Sequence, residues 1–164
     1  MIISNNMVGK MPIEKDTIIR INLAWIKSYE EAVEVITNCK NEIYLDYPQG
    51  RTKPPVPVIT LDEAIELSKF DNIKYFAVSN IETVEQIDAI RNRLGDIEFV
   101  PKIETKKGVL NLDEIIDAGI KTIMLDKEDL YTDVKANQDE FNELVEIARS
   151  KDIKVLELKG VIFD

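Results

Sequence analysis

Short apolar runs of strand length alternate along this chain with segments whose apolar residues fall three and four positions apart. The runs are Thr17–Leu23, Glu42–Asp46, Ile73–Ser79, Ile97–Glu104, Thr122–Leu125 and Ile153–Leu158, all rich in Ile, Val, Leu, Phe or Tyr. Between most of them lies a one-faced helical pattern, as in Val84, Ile87, Ile90 and Leu94, or in Phe141, Leu144, Val145 and Ala148. A strand, a helix and a second strand recurring every ~25 to 30 residues predict right-handed βαβ units and a parallel sheet. In such sheets ligands sit beyond the carboxyl ends of the strands, whether the sheet is open or rolled into a barrel.

Helix starts are marked where a capping side chain precedes a Glu or Gln by three positions. Ser28 with Glu31, Thr60 with Glu63, Thr83 with Gln86, and Asn111 with Glu114 have that spacing. Tyr47–Pro57 (YPQGRTKPPVP) interrupts the alternation and predicts a stiff, extended loop, because proline fixes its own φ and restricts the residue before it. The only repetition is the βα unit itself, so residues 1–164 read as a single domain.

Composition narrows the chemistry. A net charge of −10 disfavours nucleic acid and anionic membrane surfaces as partners. The absence of histidine excludes Ser-His and Cys-His catalysis and His-containing zinc sites. Reactivity must come from Asp, Glu, Lys, Arg, Tyr or a bound metal. Cys39 follows Ala32, Val33 and Ile36 at helical spacing and is expected to be a small core residue. Met1–Ser4 is too short for the apolar part of a signal peptide, and no long uncharged stretch follows, so a cytoplasmic protein is expected.

The strand ends carry Arg20 and Asn22, then Asp46 with Arg51 just beyond, then Lys102 and Glu104, then Asp126 to Asp129. In a parallel sheet these line one face. Carboxylates such as Glu104 and Asp129 are an oxygen-ligand set for Mg²⁺ or Mn²⁺, with Arg20, Arg51 and Lys102 offsetting a multiply charged anion. The competing reading is a set of solvated charges and ion pairs at the sheet ends. Trp25 is expected to pack beside Leu23 and Ile26, and Lys106-Lys107-Gly108 to form a solvated turn.

Four stretches, in order, resemble pyruvate kinase and the wider phosphoenolpyruvate/pyruvate barrel superfamily, which includes the HpcH/HpaI aldolases and citrate lyase β subunits. They are IIRINLA at Ile18–Ala24, IYLDYPQGRTK at Ile43–Lys53, VPKIETKKGVLNLDEII at Val100–Ile116 and TIMLDKEDL at Thr122–Leu130. The resemblance implies that Glu104 and Asp129 bind Mg²⁺ or Mn²⁺, and that Lys102 stabilises charge developing on the transferred group or enolate. It implies further that Arg20, Asn22 and Asp46 lie around a phosphoryl and monovalent-cation region, with K⁺ as an accompanying ion, and that Arg51 is the arginine of the R-T-G turn.

The sequence departs from that pattern at Ala24, where pyruvate kinases carry serine, and at Asp126-Lys127-Glu128, which replaces A-R-G. No lid domain is inserted after Arg51-Thr52-Lys53. At 164 residues against ~250 for a full barrel, the expected fold is a partial or incomplete (β/α)8 TIM-type barrel with parallel strands. An eighth strand is expected to be missing, and Asn5–Asp16 is too short for a normal first helix. Exposed sheet edges are costly, so a homo-oligomer or a partner chain completing the barrel is expected. The functional expectation is a metal-dependent enzyme acting on phosphoenolpyruvate, pyruvate or a related 2-oxo acid, by aldol-type lyase chemistry or phosphoryl transfer. Its competitor is a non-catalytic, barrel-derived binding or assembly module.

Overall fold

The structure, a computed structural model, describes residues 2–4, 16–126, 130–131, 135, 137–159 and 162–163. Eight strands follow one another around a closed sheet in sequence order. They are β1 (Ile2–Ser4), β2 (Ile18–Asn22), β3 (Ile43–Tyr47), β4 (Ile73–Val78), β5 (Glu98–Ile103), β6 (Thr122–Leu125), β7 (Lys154–Lys159) and β8 (Ile162–Phe163). Strands β2 to β7 form a curled, wholly parallel sheet, and β1 joins it parallel to β2. The α/β class, the strand positions and their order match the sequence reading to within a residue or two at each end.

The seam is where expectation and structure differ. An eighth strand does form, but it is two residues long and runs antiparallel to both β7 and β1. The reason is the length of the connection. A parallel neighbour needs a crossover of a dozen or more residues, whereas only two separate β7 from β8, which permits a hairpin and nothing else. Among the described residues the last unit has no crossover helix, and the sheet closes through β1 and β8. The Asn5–Asp16 segment lies almost wholly outside the described residues.

Helices α1 (Tyr29–Asn38), α2 (Leu61–Leu67), α3 (Val84–Arg91), α4 (Lys106–Leu110), α5 (Leu112–Asp117) and α6 (Gln138–Ser150) lie between successive strands. The caps explain where they begin. Ser28 Oγ accepts from the Glu31 N–H at 3.1 Å. Thr60 and Glu63 cap each other reciprocally. Gln86 Oε1 accepts from the Thr83 N–H at 3.1 Å. Asn111 is a correction: its side chain makes no cap hydrogen bond there. It donates instead to the Glu82 carbonyl at 2.8 Å, across to the neighbouring loop. The helical stretch starts earlier, at Thr105, whose Oγ1 accepts from the Gly108 N–H at 3.1 Å. None of the described helices is long and apolar enough to cross a membrane.

Strand alternation divides the interior into two layers, because successive side chains point to opposite faces. Outward residues such as Ile19, Ile21, Ile43, Leu45, Phe76, Val78, Phe99, Ile103, Ile123 and Leu125 join the buried helix faces in one large core. Cys39 belongs to this core. Inward residues Tyr44, Ala77, Val100, Met124 and Leu156, one from each of β3 to β7, form a separate cluster that fills the barrel. Trp25 is not a packing residue, since it is 59% exposed in the short 3-10 turn (Leu23–Trp25) that follows β2. The two intervening chain positions explain it: Leu23 and Ala24 take the buried side of that turn.

Gly108 has a structural role that its charged neighbours hide in the sequence. A Cβ at this position would lie 2.6 Å from the Ile81 carbonyl oxygen, closer than packed atoms approach. Ile81 in turn donates its N–H to the Lys102 carbonyl at 3.1 Å, so the contact braces the β4 and β5 loops. Gly108→Ala is therefore expected to destabilise the protein by about 1–3 kcal/mol, as overpacking does, when unfolding is followed in urea. An unchanged midpoint would show that the α4 approach is loose.

Candidate active site

The polar site is the next inward layer above the apolar plug. Two residues beyond Tyr44, Ala77, Val100 and Met124 come Asp46, Ser79, Lys102 and Asp126, and two beyond Ile18 comes Arg20. A period of two places all five on the inner face at the carboxyl ends of their strands. One step further, Asn22 and Glu104 reach the mouth. A polar cavity of about 250 Å³ opens here, walled by Arg20, Asn22, Ser79, Lys102, Glu104 and Asp126 together with the turn from Pro48 to Lys53.

Its floor is a charge network. Asp46 has no accessible surface and receives Arg20 on Oδ2, with Nε at 2.7 Å and Nη2 as a second donor. Lys102 Nζ lies 3.0 Å from Glu104 Oε1, 2.9 Å from Ser79 Oγ and 3.4 Å from Asp46 Oδ1. The second Glu104 oxygen accepts the Asn80 N–H at 3.2 Å. Asp46 Oδ1 has no hydrogen-bond partner, although the lysine charge is near. Arg20 and Lys102 are thus set against Asp46 and Glu104, and Asp126, in the same cavity lining, adds a further negative charge that acts on Arg20.

The pKa directions follow from the same contacts. Burial opposes ionisation of Asp46, but Arg20 and Lys102 outweigh it and hold the carboxyl below its ordinary value of 3.8. Burial likewise works against the Lys102 ammonium, and Asp46 and Glu104 overcome it, so its pKa is raised. Arg20 is raised for the same reason, Asp46 outweighing burial. Tyr44, beneath the network, is pushed well above 10 by burial, with Asp46 adding to the effect. Its hydroxyl lies 3.7 Å from Met124 Sδ. It is a neutral wall between the apolar plug and the charges.

Of the residues singled out in the sequence, Arg20, Asn22, Arg51, Lys102 and Glu104 meet around the one cavity. Asp46 sits behind it, touching Arg20 and Lys102 but not the cavity wall. Asp129 lies outside the described residues. Arg51 belongs to an exposed turn and donates from Nε to the Lys53 and Pro55 carbonyls, at 3.0 and 2.8 Å. Sequence reasoning missed Ser79 and Asn80 at the end of β4, although the inward register Tyr75, Ala77, Ser79 signals the first of them. It also missed the lock on the turn. Asn80, at φ 56°, donates from Nδ2 to the Gln49 carbonyl at 2.6 Å, beside Gly50 at φ 71°.

Because the folded-state pKa of Asp46 is depressed, its stabilising contribution is present above the unfolded value near 3.8 and is lost as pH falls through the folded one. Asp46→Asn is expected to cost about 3–5 kcal/mol at pH 7, the penalty for stripping one partner from a buried ion network. The deficit relative to the parent should shrink below pH 4. Urea unfolding of both proteins at pH 7 and pH 3 checks this, and a pH-independent deficit would contradict it.

This arrangement of strands recurs in solved structures. The chain superposes on RipC from Yersinia pestis with a TM-score of 0.64 and 14% identity, covering 85% of this chain and 68% of that one. With macrophomate synthase the TM-score is 0.64 and the identity 11%, over 86% of this chain and 62% of the other. An HpcH/HpaI aldolase/citrate lyase family protein from Burkholderia cenocepacia J2315 gives 0.60 and 9%, over 87% and 71%. At such identities the likeness is one of fold, and the chain spans roughly two thirds of each of these proteins. No curated protein sequence matches it. The model of the HpcH/HpaI aldolase/citrate lyase family matches residues 74–164, more than half of the chain, which therefore belongs to that family.

Proposed function

We propose that the chain is a divalent-metal-dependent lyase that makes or breaks a carbon–carbon bond next to a 2-oxo acid of the pyruvate type. The observation that carries this reading is Lys102. A fixed ammonium, 4% exposed, is held at the cavity floor by Ser79 and Glu104, and a fixed cation of this kind stabilises an enolate in a water-poor site.

Family membership implies a divalent cation, and the donors available fit one. Mg²⁺ and Mn²⁺ take one or two protein carboxylates with waters and substrate oxygens completing the shell. Glu104 and Asp126 line the same cavity. Asp129, the partner expected from the sequence, lies outside the described residues, and no group of three Asp, Glu or Cys is gathered for a metal among the described ones. When bound, the cation would supply polarisation of the 2-oxo oxygen.

The chain's own residues divide the remaining work. Arg20 and Lys102 are held by Asp46 and Glu104, so they orient and polarise from fixed positions. Arg51 and Lys53, on the turn that closes one side of the cavity, add the positive charge that attracts a carboxylate. Asn22 Oδ1 accepts from the Ala24 N–H at 2.9 Å, which fixes the side chain at the rim. Carbon–carbon chemistry is preferred to phosphoryl transfer from phosphoenolpyruvate because the stretch from Pro48 to Thr60 runs straight into α2, with no inserted domain to enclose a nucleotide.

Oxalate, which mimics the enolate of pyruvate, tests this reading. Calorimetric titration is expected to show oxalate binding in the presence of Mn²⁺ and little without it. Glu104→Gln should abolish the Mn²⁺-dependent part, and Arg51→Gln should weaken oxalate by about tenfold while leaving Mn²⁺ binding alone. A parent protein that binds neither Mn²⁺ nor oxalate at millimolar concentration would instead favour the non-catalytic module.

A further inference from the structure

Lys102 and a divalent cation compete for the same carboxylate. In the structure one oxygen of Glu104 faces the Lys102 ammonium at 3.0 Å and the other accepts the Asn80 N–H at 3.2 Å. A divalent cation at Glu104 would stand beside the ammonium now held on Oε1, and the two positive charges repel at such short range. Something must yield when Glu104 becomes a ligand.

The place that receives the lysine is already built. Asp46 Oδ1 is wholly buried and already forms a long ion pair with Lys102 Nζ at 3.4 Å, without a well-aligned hydrogen bond. Its sister oxygen is fully engaged by Arg20. A buried carboxylate oxygen with only a long, poorly aligned donor is under-satisfied, and a shift of the ammonium by a few tenths of an ångström would shorten and align that contact. Ser79 Oγ, at 2.9 Å, can keep its contact through so small a movement, because a lysine ammonium has three donors.

We infer that Lys102 is a two-position residue that screens Glu104 in the metal-free site and passes to Asp46 Oδ1 when Glu104 takes up a divalent cation. Asp46 is then a positioning residue, acting through Lys102 and touching neither substrate nor metal. The site keeps its internal charge pairs in both positions. Lys102 remains pointed at the cavity in both, ready to face a substrate oxygen. This inference rests on the metal-dependent reading above, and the test separates the two.

Mn²⁺ affinity is measured by calorimetry for the parent, Lys102→Met, Asp46→Asn and the double variant, each first shown to be folded by circular dichroism. Lys102→Met is expected to tighten Mn²⁺ by about tenfold, since it removes the competing cation. Asp46→Asn should weaken it by about tenfold, because the lysine loses its alternative partner. In the Lys102→Met background the Asp46 substitution should have little effect. A loss that persists there would be the through-space effect of a missing charge and would overturn the inference. Should Asp46→Asn not fold, ¹⁵N NMR of the lysine ammonium groups in the parent decides. The Lys102 resonance, assigned by its absence from Lys102→Met or by through-bond correlation, should shift as Mg²⁺ is added. A parent that binds Mn²⁺ with an unmoved Lys102 signal, or a Lys102→Met variant that binds no tighter, overturns the switch and leaves the proposed function standing. A parent that binds no divalent cation overturns both.

Discussion

Asp46 carries a charge at a position with no accessible surface, and most of what is distinctive in this barrel follows from neutralising it. Removing an ion from water costs several kcal/mol even after relaxation, so Asp46 is tolerable only with Arg20 and Lys102 against it. Those partners come from β2 and β5, respectively 26 and 56 positions away in the chain. The network cannot form unless three strands are in register, and their registry is fixed in turn by which residues face inward. Function and fold are therefore coupled at one carboxylate. The residues poised toward the cavity are the ones that hold the carboxyl end of the barrel together.

The same economy appears in how the sheet closes. An open parallel sheet would leave rows of unpaired backbone groups at both edges. A three-residue β1 and a two-residue β8 bridge the gap, the latter in the antiparallel direction that a tight hairpin allows. The candidate site is built from β2 to β6, opposite this abbreviated seam. It therefore keeps the parallel geometry, with strand ends and following loops on one face, that such chemistry needs.

Much of this was legible in the sequence because it rests on periodicity. The Ile- and Val-rich runs marked β2 to β7, and their parallel order placed Arg20, Asn22, Asp46, Lys102 and Glu104 together at one end of the sheet. What was not legible depended on three-dimensional proximity or on short segments. Asn111 has the spacing of a helix cap, yet the Glu82 carbonyl captures its amide and Thr105 caps instead. Ser79 hid at the end of a strand whose visible signal was aromatic. Trp25 looked like core from its neighbours, but a single turn of 3-10 helix rotates it outward. The closing strand β8 carries too few residues to announce itself by pattern.

Anomalous diffraction at the manganese edge, from crystals grown with Mn²⁺ and oxalate, would test whether Glu104, at the mouth of this network, anchors a divalent cation onto which a 2-oxo acid docks. One strong peak is expected beside Glu104, with oxalate against it within the cavity of Arg20 and Arg51 and the Lys102 ammonium drawn toward Asp46. A cavity free of manganese, with Lys102 still on Glu104 at saturating Mn²⁺, would contradict it.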